Sequence, residues 1–409
     1  MDRLILHCDL NNFYASVECL SHPEWVDVPL AVAGNPEKRH GVVLAKNELA
    51  KSFGVKTGDV IWEAQQKAPS LKVVPPHFSD YMDYSKRVFD IYTDFTCYVE
   101  PFGPDECWLD CTGSVKLFGD GETIANKIRA KVYKETGLTL SVGVSFNKVF
   151  AKIGSDLKKP DAVTVISREN FKEKLWGLPV GDMLYVGRKT TEKLLKLNIR
   201  TIGELAQADV GMLKAHFGVI GERMHVYANG EDGESVREYV KSRKVESVGH
   251  GMTAVRDISL YDDAKALIYY LSEKIAARMR KYGVRGCGIS LDIRSGELKH
   301  VSHQKKLPVP TYATREIAEA AFALLKDIWN GSPPLRTLTV AVYDLIPFGG
   351  AIQTSMFDDK PNEKEEALER AVDGIRERYG KTSIVRANLL GKDFIYDKTD
   401  DEDFLPFKR

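Results

Sequence analysis

The sequence lacks the features that define several large classes of protein. It has no C-x-x-C spacing, so its cysteines suggest neither a zinc site nor a disulfide framework. The apolar start Leu4-Ile5-Leu6 is interrupted at once by His7, too soon for a signal peptide or a membrane span. We therefore expect a cytoplasmic protein that does not contact membranes and keeps its thiols reduced. We also expect a monomer. The cysteines are at positions 8, 19, 97, 107, 111 and 287.

The sequence also lacks net charge, since its 409 residues include 58 Lys+Arg and 58 Asp+Glu. Overall charge therefore does not indicate nucleic-acid binding, and only an uneven distribution can. Between residues 241 and 310 there are 14 Lys+Arg against 7 Asp+Glu, or 14 − 7 = +7. Phosphate contacts or a solvated basic face both explain such an excess.

The hydrophobic pattern predicts an α+β protein of two to four domains. A strand over 3–10 is followed by a helix over 11–19, and a Gly-Pro break at 103–104 predicts a β-hairpin. A helix over 121–135 and a strand over 138–145 come next, in an order that resembles a ferredoxin-like layout with an insertion near 21–75. Residues 166–232 are helical, 234–247 are linker-like, 248–345 alternate strands with helices over 262–282 and 312–330, and 362–378 has a helical pattern.

Three carboxylates lie where a metal site is conceivable. Asp9 ends an apolar strand, and Asp105 and Glu106 directly follow the Gly-Pro break. Two Mg²⁺ ions held by such oxygens can stabilise both the attacking and the leaving oxygen of phosphoryl transfer. Acidic residues at strand ends and turns are also common solvated groups, so the carboxylates alone do not decide the function.

The sequence segments around these carboxylates resemble the motifs of a known family. The segment DLNNFYASVE at 9–18 resembles the first motif of the Y-family translesion DNA polymerases, and PDECWLD at 104–110 is similar to their second. The third motif is similar to SVGVSFNK at 141–148, continuing to SDLKKP at 155–160. All three occur in the family's order, and the chain looks closest to the bacterial polymerase IV and UV-damage-repair branch.

The resemblance implies a ferredoxin-like palm, a small fingers insertion, a helix-hairpin-helix thumb and an α/β little finger. The implied boundaries are 1–20 and 76–165 for the palm, 21–75 for the fingers, 166–233 for the thumb, 234–247 for a linker, 248–348 for the little finger and 349–409 for a C-terminal tail.

The resemblance also implies roles for individual residues. Asp9, Asp105 and Glu106 would be the catalytic carboxylates that bind two Mg²⁺ ions, with Mn²⁺ as a substitute and the Leu10 carbonyl as a further ligand. Tyr14 would be the steric gate against a ribose 2′-OH. The other implied contacts are to the dNTP triphosphate, through backbone amides at Asn12 and Phe13 and the charges of Lys51 and Lys159.

The fingers insertion departs from the family pattern. Where the family commonly has Y-E-A-R, this chain has Glu48-Leu49-Ala50-Lys51. The Lys51 ammonium acts as a point charge and cannot bind a phosphate through two parallel hydrogen bonds, as the arginine of the family pattern can. Glu48 would repel phosphate unless it points away, and Lys46 is a candidate to compensate.

Further expected contacts lie in the thumb and little finger. VGRKTTEKL at 186–194 resembles the helix-hairpin-helix motif, in which Gly187, Lys189 and Thr190 would approach a DNA phosphate. Tyr185 replaces the usual first glycine, and Phe217-Gly218 to Gly221 predicts a second such turn. The basic region suggests four more DNA contacts, at Lys241, Arg243, Lys244 and Arg294.

QTSMF at 353–357 resembles a sliding-clamp-binding pentapeptide, with Gln353, Met356 and Phe357 as its anchors. The expected partners are thus primer-template DNA, a dNTP and a sliding clamp. The expected function is low-fidelity translesion DNA synthesis in the DNA-damage response, without a proofreading exonuclease. Two alternatives stay open: a palm-fold enzyme similar to nucleotidyl cyclases, and a catalytically inactive protein that binds DNA or the clamp.

Overall fold

The computed structural model describes residues 2–35, 41–239, 245–350 and 363–392. These fall into two compact units, one over 2–34 and 42–239 and the other mainly over 245–350 and 363–392. Within these ranges no helix is both long enough and apolar enough to cross a membrane.

The first unit contains the predicted ferredoxin-like palm, which carries the insertion that forms the fingers. The insertion is a small sheet in the order β3-β2-β4, and the palm sheet has the order β5-β6-β1-β7-β8. Neighbouring palm strands are antiparallel except β7 and β8. The elements in chain order are β1 (Ile5–Leu10), α1 (Phe13–Ser21), β2 (Leu30–Ala33), β3 (Val43–Lys46), α2 (Glu48–Ser52), α3 (Ile61–Lys67), β4 (Lys72–Val74), α4 (Phe78–Thr93), β5 (Val99–Pro101), β6 (Glu106–Asp110), α5 (Val115–Phe118), α6 (Gly121–Thr136), β7 (Leu140–Ser145), α7 (Lys148–Leu157) and β8 (Val163–Val165).

The two faces of the palm sheet differ because side chains alternate along each strand. In β1, Leu6, Cys8 and Leu10 point into the main core, where they join residues of α4 and α6. His7 and Asp9 therefore point to the other face, towards α7. Both are buried.

Gly143 allows α7 to lie unusually close to the sheet. A side chain there would place its Cβ 1.9 Å from the carbonyl oxygen of Ala151 and 2.5 Å from the nitrogen of Ser155. Because Gly143 is the register partner of His7 in β1, this close approach brings α7 directly over the strand that carries His7 and Asp9.

The rest of the first unit is the helical thumb with its own core. As predicted, Gly218 makes a turn between two helices, at φ +63°. Tyr185 also has a positive φ, +68°, which explains why a glycine is usual at that place in the motif. The helices are α8 (Phe171–Leu175), α9 (Arg188–Lys196), α10 (Ile202–Gln207), α11 (Val210–Phe217) and α12 (Val219–Ala228).

The first part of the linker-like stretch packs onto the palm. Val236 is buried with Ile5 and Trp108. The Arg237 guanidinium lies 2.9 Å from Glu100, and the Tyr239 amide donates to the Cys97 carbonyl. Residues 234–239 thus belong to the palm surface.

The second unit is the α/β little finger. Its antiparallel sheet has the order β11-β10-β12-β9, and residues of two helices form a core with one face of it. The C-terminal helix docks through ion pairs, such as Arg280 with Glu369 at 2.8 Å. The elements are β9 (Ser247–Ile258), α13 (Tyr261–Tyr282), β10 (Val284–Ser295), β11 (His300–Thr311), α14 (Thr314–Ile328), β12 (Leu335–Pro347) and α15 (Glu363–Tyr379).

Candidate active site

The three predicted carboxylates come together at one end of the palm sheet. Asp9 and Glu106 are direct register partners across β1 and β6. Asp105 lies just before β6, and its carbonyl accepts a hydrogen bond from the Leu10 amide at 3.1 Å. Because Asp105 lies in the bend and not in the strand, its side chain is not forced to the face opposite Glu106.

Two lysines balance these charges. Lys152 on α7 lies 3.0 Å from Glu106 Oε2 and 3.3 Å from Asp9 Oδ2. Lys159 lies 2.7 Å from Asp9 Oδ2 and 2.8 Å from Asp156. Burial opposes both ammonium charges, but the surrounding carboxylates raise the pKa of each lysine above its ordinary value.

The two adjacent carboxyls titrate in opposite directions. Burial, together with the charges of Asp9 and Glu106, raises the pKa of Asp105 to about 7. Burial acts on Glu106 too, but the neighbouring His7 imidazole and the charge of Lys152 lower the pKa of Glu106 to about 2. The site therefore holds more negative charge at pH 8 than the lysines stabilise.

This imbalance predicts a pH effect on the stability of the metal-free protein. The folded chain keeps the Asp105 proton up to about pH 7, whereas the unfolded chain releases it near 3.8. Stability therefore falls as pH rises from about 4 to 7. The free energy of unfolding of Asp105→Asn should exceed that of wild type by roughly 2 kcal/mol at about pH 8, which is half of the free energy that the whole pKa shift of Asp105 corresponds to. At about pH 4 the two proteins should be equally stable.

Thermal unfolding in the presence of a chelator measures this difference. If the free energies of unfolding of wild type and Asp105→Asn differ by the same amount at about pH 4 and about pH 8, the raised pKa of Asp105 is wrong.

The residues present fit a divalent cation. Their donors are carboxylate oxygens, the ligands that Mg²⁺ prefers, and the buried Glu106 Oε2 makes no well-formed hydrogen bond. In the described part of the chain, no three acidic, histidine or cysteine side chains already converge as a ligand set. Lys152 and Lys159 supply the positive charge beside these carboxylates. A metal ion that binds Asp9 must therefore displace a lysine ammonium from it.

Tyr14 lies beside this site in a stack of aromatic rings. Its ring is parallel to that of Tyr81, with centroids 4.2 Å apart, and meets Phe78 edge-on. The Tyr81 hydroxyl donates to the buried Glu18. Burial, with the nearby charge of Asp105, raises the pKa of Tyr14 to about 12. Tyr14 is thus a neutral ring held firmly in position next to the carboxylates.

The helix that follows β1 begins in an unusual conformation. Asn12 adopts a left-handed backbone, φ +50°, and its side chain does not cap α1, which begins at Phe13. Instead, Asn12 Nδ2 donates to Glu48 Oε1 at 3.0 Å. The amides at the start of α1 are therefore not capped by Asn12, a favourable arrangement for an anion.

Two contacts hold the Glu48 carboxylate in place and partly balance its charge. Besides Asn12, it pairs with Lys51 at 3.4 Å. Burial, and then the nearby charge of Lys51, lower the pKa of Lys46, with a smaller effect from the charge of Lys159. Three lysines thus surround the space between fingers and palm: Lys46, Lys51 and Lys159.

The predicted DNA contacts are placed only in part. Gly187 is the N-cap of α9 without a side-chain cap, which leaves the helix start at Lys189 and Thr190 exposed to a phosphate. Arg294 lies on the face of β10 opposite the little-finger core, and its Nε is buried without a hydrogen-bond partner. Lys241, Arg243 and Lys244 lie outside the described residues, as do Gln353, Met356 and Phe357.

The sequence reasoning missed three residues of this site. Lys152 was given no role of its own, although it links Asp9 to Glu106. Tyr81 gave no signal beyond the apolar face of α4. His7 looked like an interruption of a strand, although its Nε2 lies 3.4 Å from Glu106.

Comparisons with known proteins show the family of this chain. Residues 8–156 match the model of the impB/mucB/samB family, residues 245–356 match its C-terminal domain and residues 168–199 match the IMS family HHH motif. The chain is 48% identical to DNA polymerase IV of Acetivibrio thermocellus, covering 95% of this chain and 98% of that relative. It is 36% identical to DNA polymerase IV 2 of Bacillus subtilis, covering 95% of each.

A solved structure supports the fold. A Y-family DNA polymerase chimera of Dbh and Dpo4 superposes with a TM-score of 0.75 at 24% identity, covering 84% of this chain and 99% of that one.

Proposed function

This chain belongs to the impB/mucB/samB family and is a DNA-directed DNA polymerase. We propose that it extends primers across damaged template with two Mg²⁺ ions held by Asp9, Asp105 and Glu106. One observation supports this most directly. Asp9 and Glu106 face each other across two strands while Asp105 joins them from the bend, with two lysines as countercharge.

The proposed reaction is attack of the primer 3′-OH on the α-phosphorus of a dNTP, with pyrophosphate as the leaving group. Divalent cations, when bound, neutralise the attacking and leaving oxygens. The three carboxylates and the Leu10 carbonyl would hold them. As Asp9 turns to this task it releases Lys159, whose ammonium is then free to bind the terminal phosphates.

Backbone amides at Asn12 and Phe13 and the three lysines around them bind the triphosphate in this account. Lys46→Ala is expected to raise the KM for dNTP about tenfold with little change in kcat, because a charged hydrogen bond is worth about 1.5–3 kcal/mol. Lys72→Ala is the control, since Lys72 stands over the Trp25 ring in the same insertion. Steady-state kinetics on a short primer-template measure both, and an unchanged KM for Lys46→Ala would remove Lys46 from the site.

In the proposal, backbone amides and basic side chains bind the phosphates of duplex DNA. The α9 start, with Gly187, Lys189 and Thr190, binds DNA phosphates, and so does the open sheet face that carries Arg294. The basic residues Lys241, Arg243 and Lys244 add to the grip.

Arg294→Ala should weaken DNA binding and lower the slope of log K against log salt by about 1, because one phosphate contact is lost. Arg315→Ala is the matched control, since Arg315 lies exposed on α14 and pairs with Glu319 at 2.8 Å. Fluorescence anisotropy over a series of salt concentrations gives both slopes, and equal slopes for Arg294→Ala and wild type would exclude this contact.

We further propose cytoplasmic translesion synthesis of low fidelity in the DNA-damage response, by a monomer without proofreading. Clamp binding through Gln353, Met356 and Phe357 belongs to the same proposal. Primer extension past an abasic site, with and without clamp, tests both: failure to pass the lesion removes the first, and no gain from the clamp removes the second.

The sequence alone leaves open a palm-fold enzyme similar to nucleotidyl cyclases, because such an enzyme also needs acidic groups on a palm hairpin. The family match and the DNA polymerase IV relatives decide for a DNA polymerase, and the thumb agrees, since a cyclase does not need one. Incubation of the protein with a labelled primer-template and dNTPs is therefore expected to give extension, and incubation with NTP alone is expected to give no cyclic product.

A further inference from the structure

The backbone turn that carries Lys159 is held by residues that have no part in the mechanism above. Lys159 follows the end of α7 by two residues, and its long side chain can reach a ligand only from a well-placed backbone. Asp161 has a left-handed backbone, at φ +52°. A residue other than glycine adopts this conformation at a cost, so contacts from the surrounding structure must hold it there.

Asn11 holds the turn at 159–161 from the inside. The Asn11 side chain is buried directly after β1, and its Oδ1 accepts a hydrogen bond from the Asp161 amide at 2.8 Å. Its Nδ2 donates to the buried Ser141 hydroxyl at 2.9 Å, and its backbone amide donates to the Thr139 carbonyl. Both ends of the side-chain amide are therefore bonded, and they tie the turn to β1 and β7 of the palm sheet.

Arg129 holds the same turn from the solvent side. It projects from α6, and its guanidinium lies 2.8 Å from Asp161 Oδ1 and donates to the Asp161 carbonyl at 2.5 Å. Its Nη1 donates to Asn126 Oδ1 at 2.9 Å, which fixes the guanidinium on its own helix. Because the guanidinium is planar and presents several donors, it binds the side chain and the backbone of Asp161 at once and restrains both.

The contacts of the Lys159 ammonium are of a different kind. The ammonium lies 2.7 Å from Asp9 Oδ2 and 2.8 Å from Asp156 Oδ1. Phosphate oxygens can replace these side-chain carboxylates, whereas the contacts that hold the turn do not involve the ammonium. When the ammonium leaves Asp9, the turn can therefore stay where it is.

We propose that Asn11 and Arg129 are positioning residues that hold the turn at 159–161 in place, so that the Lys159 ammonium reaches the terminal phosphates of the nucleotide. The inference rests on the proposed function, because it assumes that Lys159 binds these phosphates. A turn released from either contact spends only part of its time in the competent conformation, and the apparent affinity for the nucleotide falls by that fraction. The loss cannot exceed the loss caused by removing Lys159 itself.

Single-turnover primer extension over a series of dNTP concentrations gives the apparent dissociation constant of the nucleotide and the maximal rate separately. Arg129→Ala is expected to raise the dissociation constant about threefold to fivefold, with the maximal rate within about twofold of wild type. Lys159→Ala should raise the dissociation constant about tenfold, because a charged hydrogen bond is lost. Arg129→Ala should add nothing in the Lys159→Ala background, because both changes act through one ammonium.

Two variants are matched controls for Arg129→Ala. Asp161→Asn keeps an oxygen for Arg129, and asparagine tolerates a left-handed backbone, so the dissociation constant should stay within about twofold of wild type. Arg87→Ala removes a similar contact near the C-terminal end of α6, where the Arg87 guanidinium donates to the Glu135 carbonyl at 2.7 Å. Because this contact does not hold the turn, Arg87→Ala should bind dNTP as wild type does.

Asn11→Ala tests the inner contact in the same assay. It removes the acceptor of the Asp161 amide and should raise the dissociation constant by a similar factor, again with no added effect in the Lys159→Ala background. A wild-type dissociation constant for Asn11→Ala would remove Asn11 from the proposal. Because Arg129 lies at the surface, its variant still decides the proposal if Asn11→Ala does not fold.

The outcomes separate this inference from the proposed function. If Lys159→Ala binds dNTP as tightly as wild type, the role of Lys159 in the proposed function is wrong, and this inference is wrong with it. If Lys159→Ala binds dNTP more weakly but Arg129→Ala matches wild type, the inference alone is overturned. It is also overturned if Arg129→Ala weakens binding equally with and without Lys159.

Discussion

Asp105→Ala should lower the rate of primer extension by about 10³-fold or more, which corresponds to about 4 kcal/mol of lost transition-state stabilisation. The expectation follows from geometry, since Asp105 reaches the site from the bend that also bonds to the end of β1. It follows from charge as well, because the raised pKa of Asp105 marks a carboxylate that needs a cation at neutral pH. Single-turnover extension of a labelled primer at saturating dNTP is the measurement.

Asp110→Asn is the control for this substitution. Asp110 ends the same strand but accepts hydrogen bonds only locally, from the Thr112 amide and hydroxyl. The asparagine oxygen can still accept one of these bonds, so extension should stay within about threefold of wild type. If Asp105→Ala extended primers as fast as Asp110→Asn, the metal assignment would be wrong.

Tyr14→Ala should admit ribonucleotides, lowering the preference for dNTP over NTP by about 100-fold. The stack on Tyr81 holds the Tyr14 ring so that it cannot move aside for an added 2′-OH. Forcing extra atoms into a packed site costs about 1–3 kcal/mol, and the upper end of this range corresponds to about 100-fold.

The measurement is the ratio of kcat/KM for a dNTP and the matching NTP on one template. Tyr14→Phe keeps the ring and its stacking and should keep the wild-type ratio. The same ratio in Tyr14→Ala as in wild type would show that something other than this ring excludes the ribose hydroxyl.

Much of the palm could be predicted from the sequence because its strands and helices follow simple rules. β1 and β7 place apolar residues at every second position, as a strand with one face in the core requires. α6 and α7 follow the N-caps Asp120 and Asn147, whose side chains accept from the third following amide. β11, His300–Thr311, was not predicted as a separate strand, because it is an edge strand with a mostly exposed and polar first half, and apolar alternation is limited to Leu307 and Val309.

The functional site was predicted from motifs, and its electrostatics were not. The sequence raised Glu48 as a source of repulsion, since it cannot reveal that Asn12 and Lys51 bond to that carboxylate. It also could not place His7 against Glu106, because their contact depends on a register between two strands about 100 residues apart. Local patterns do not encode such pairings.

Templated DNA synthesis at the site of Asp9, Asp105 and Glu106 can be tested in a single experiment. The wild-type chain is offered one labelled primer annealed to four templates that differ only in the first unpaired base, with Mg²⁺ and one dNTP at a time. We expect each template to select mainly its complementary dNTP, and Asp105→Ala to incorporate none at a comparable rate. Extension that ignores the template base, or no extension by the wild type, would contradict it.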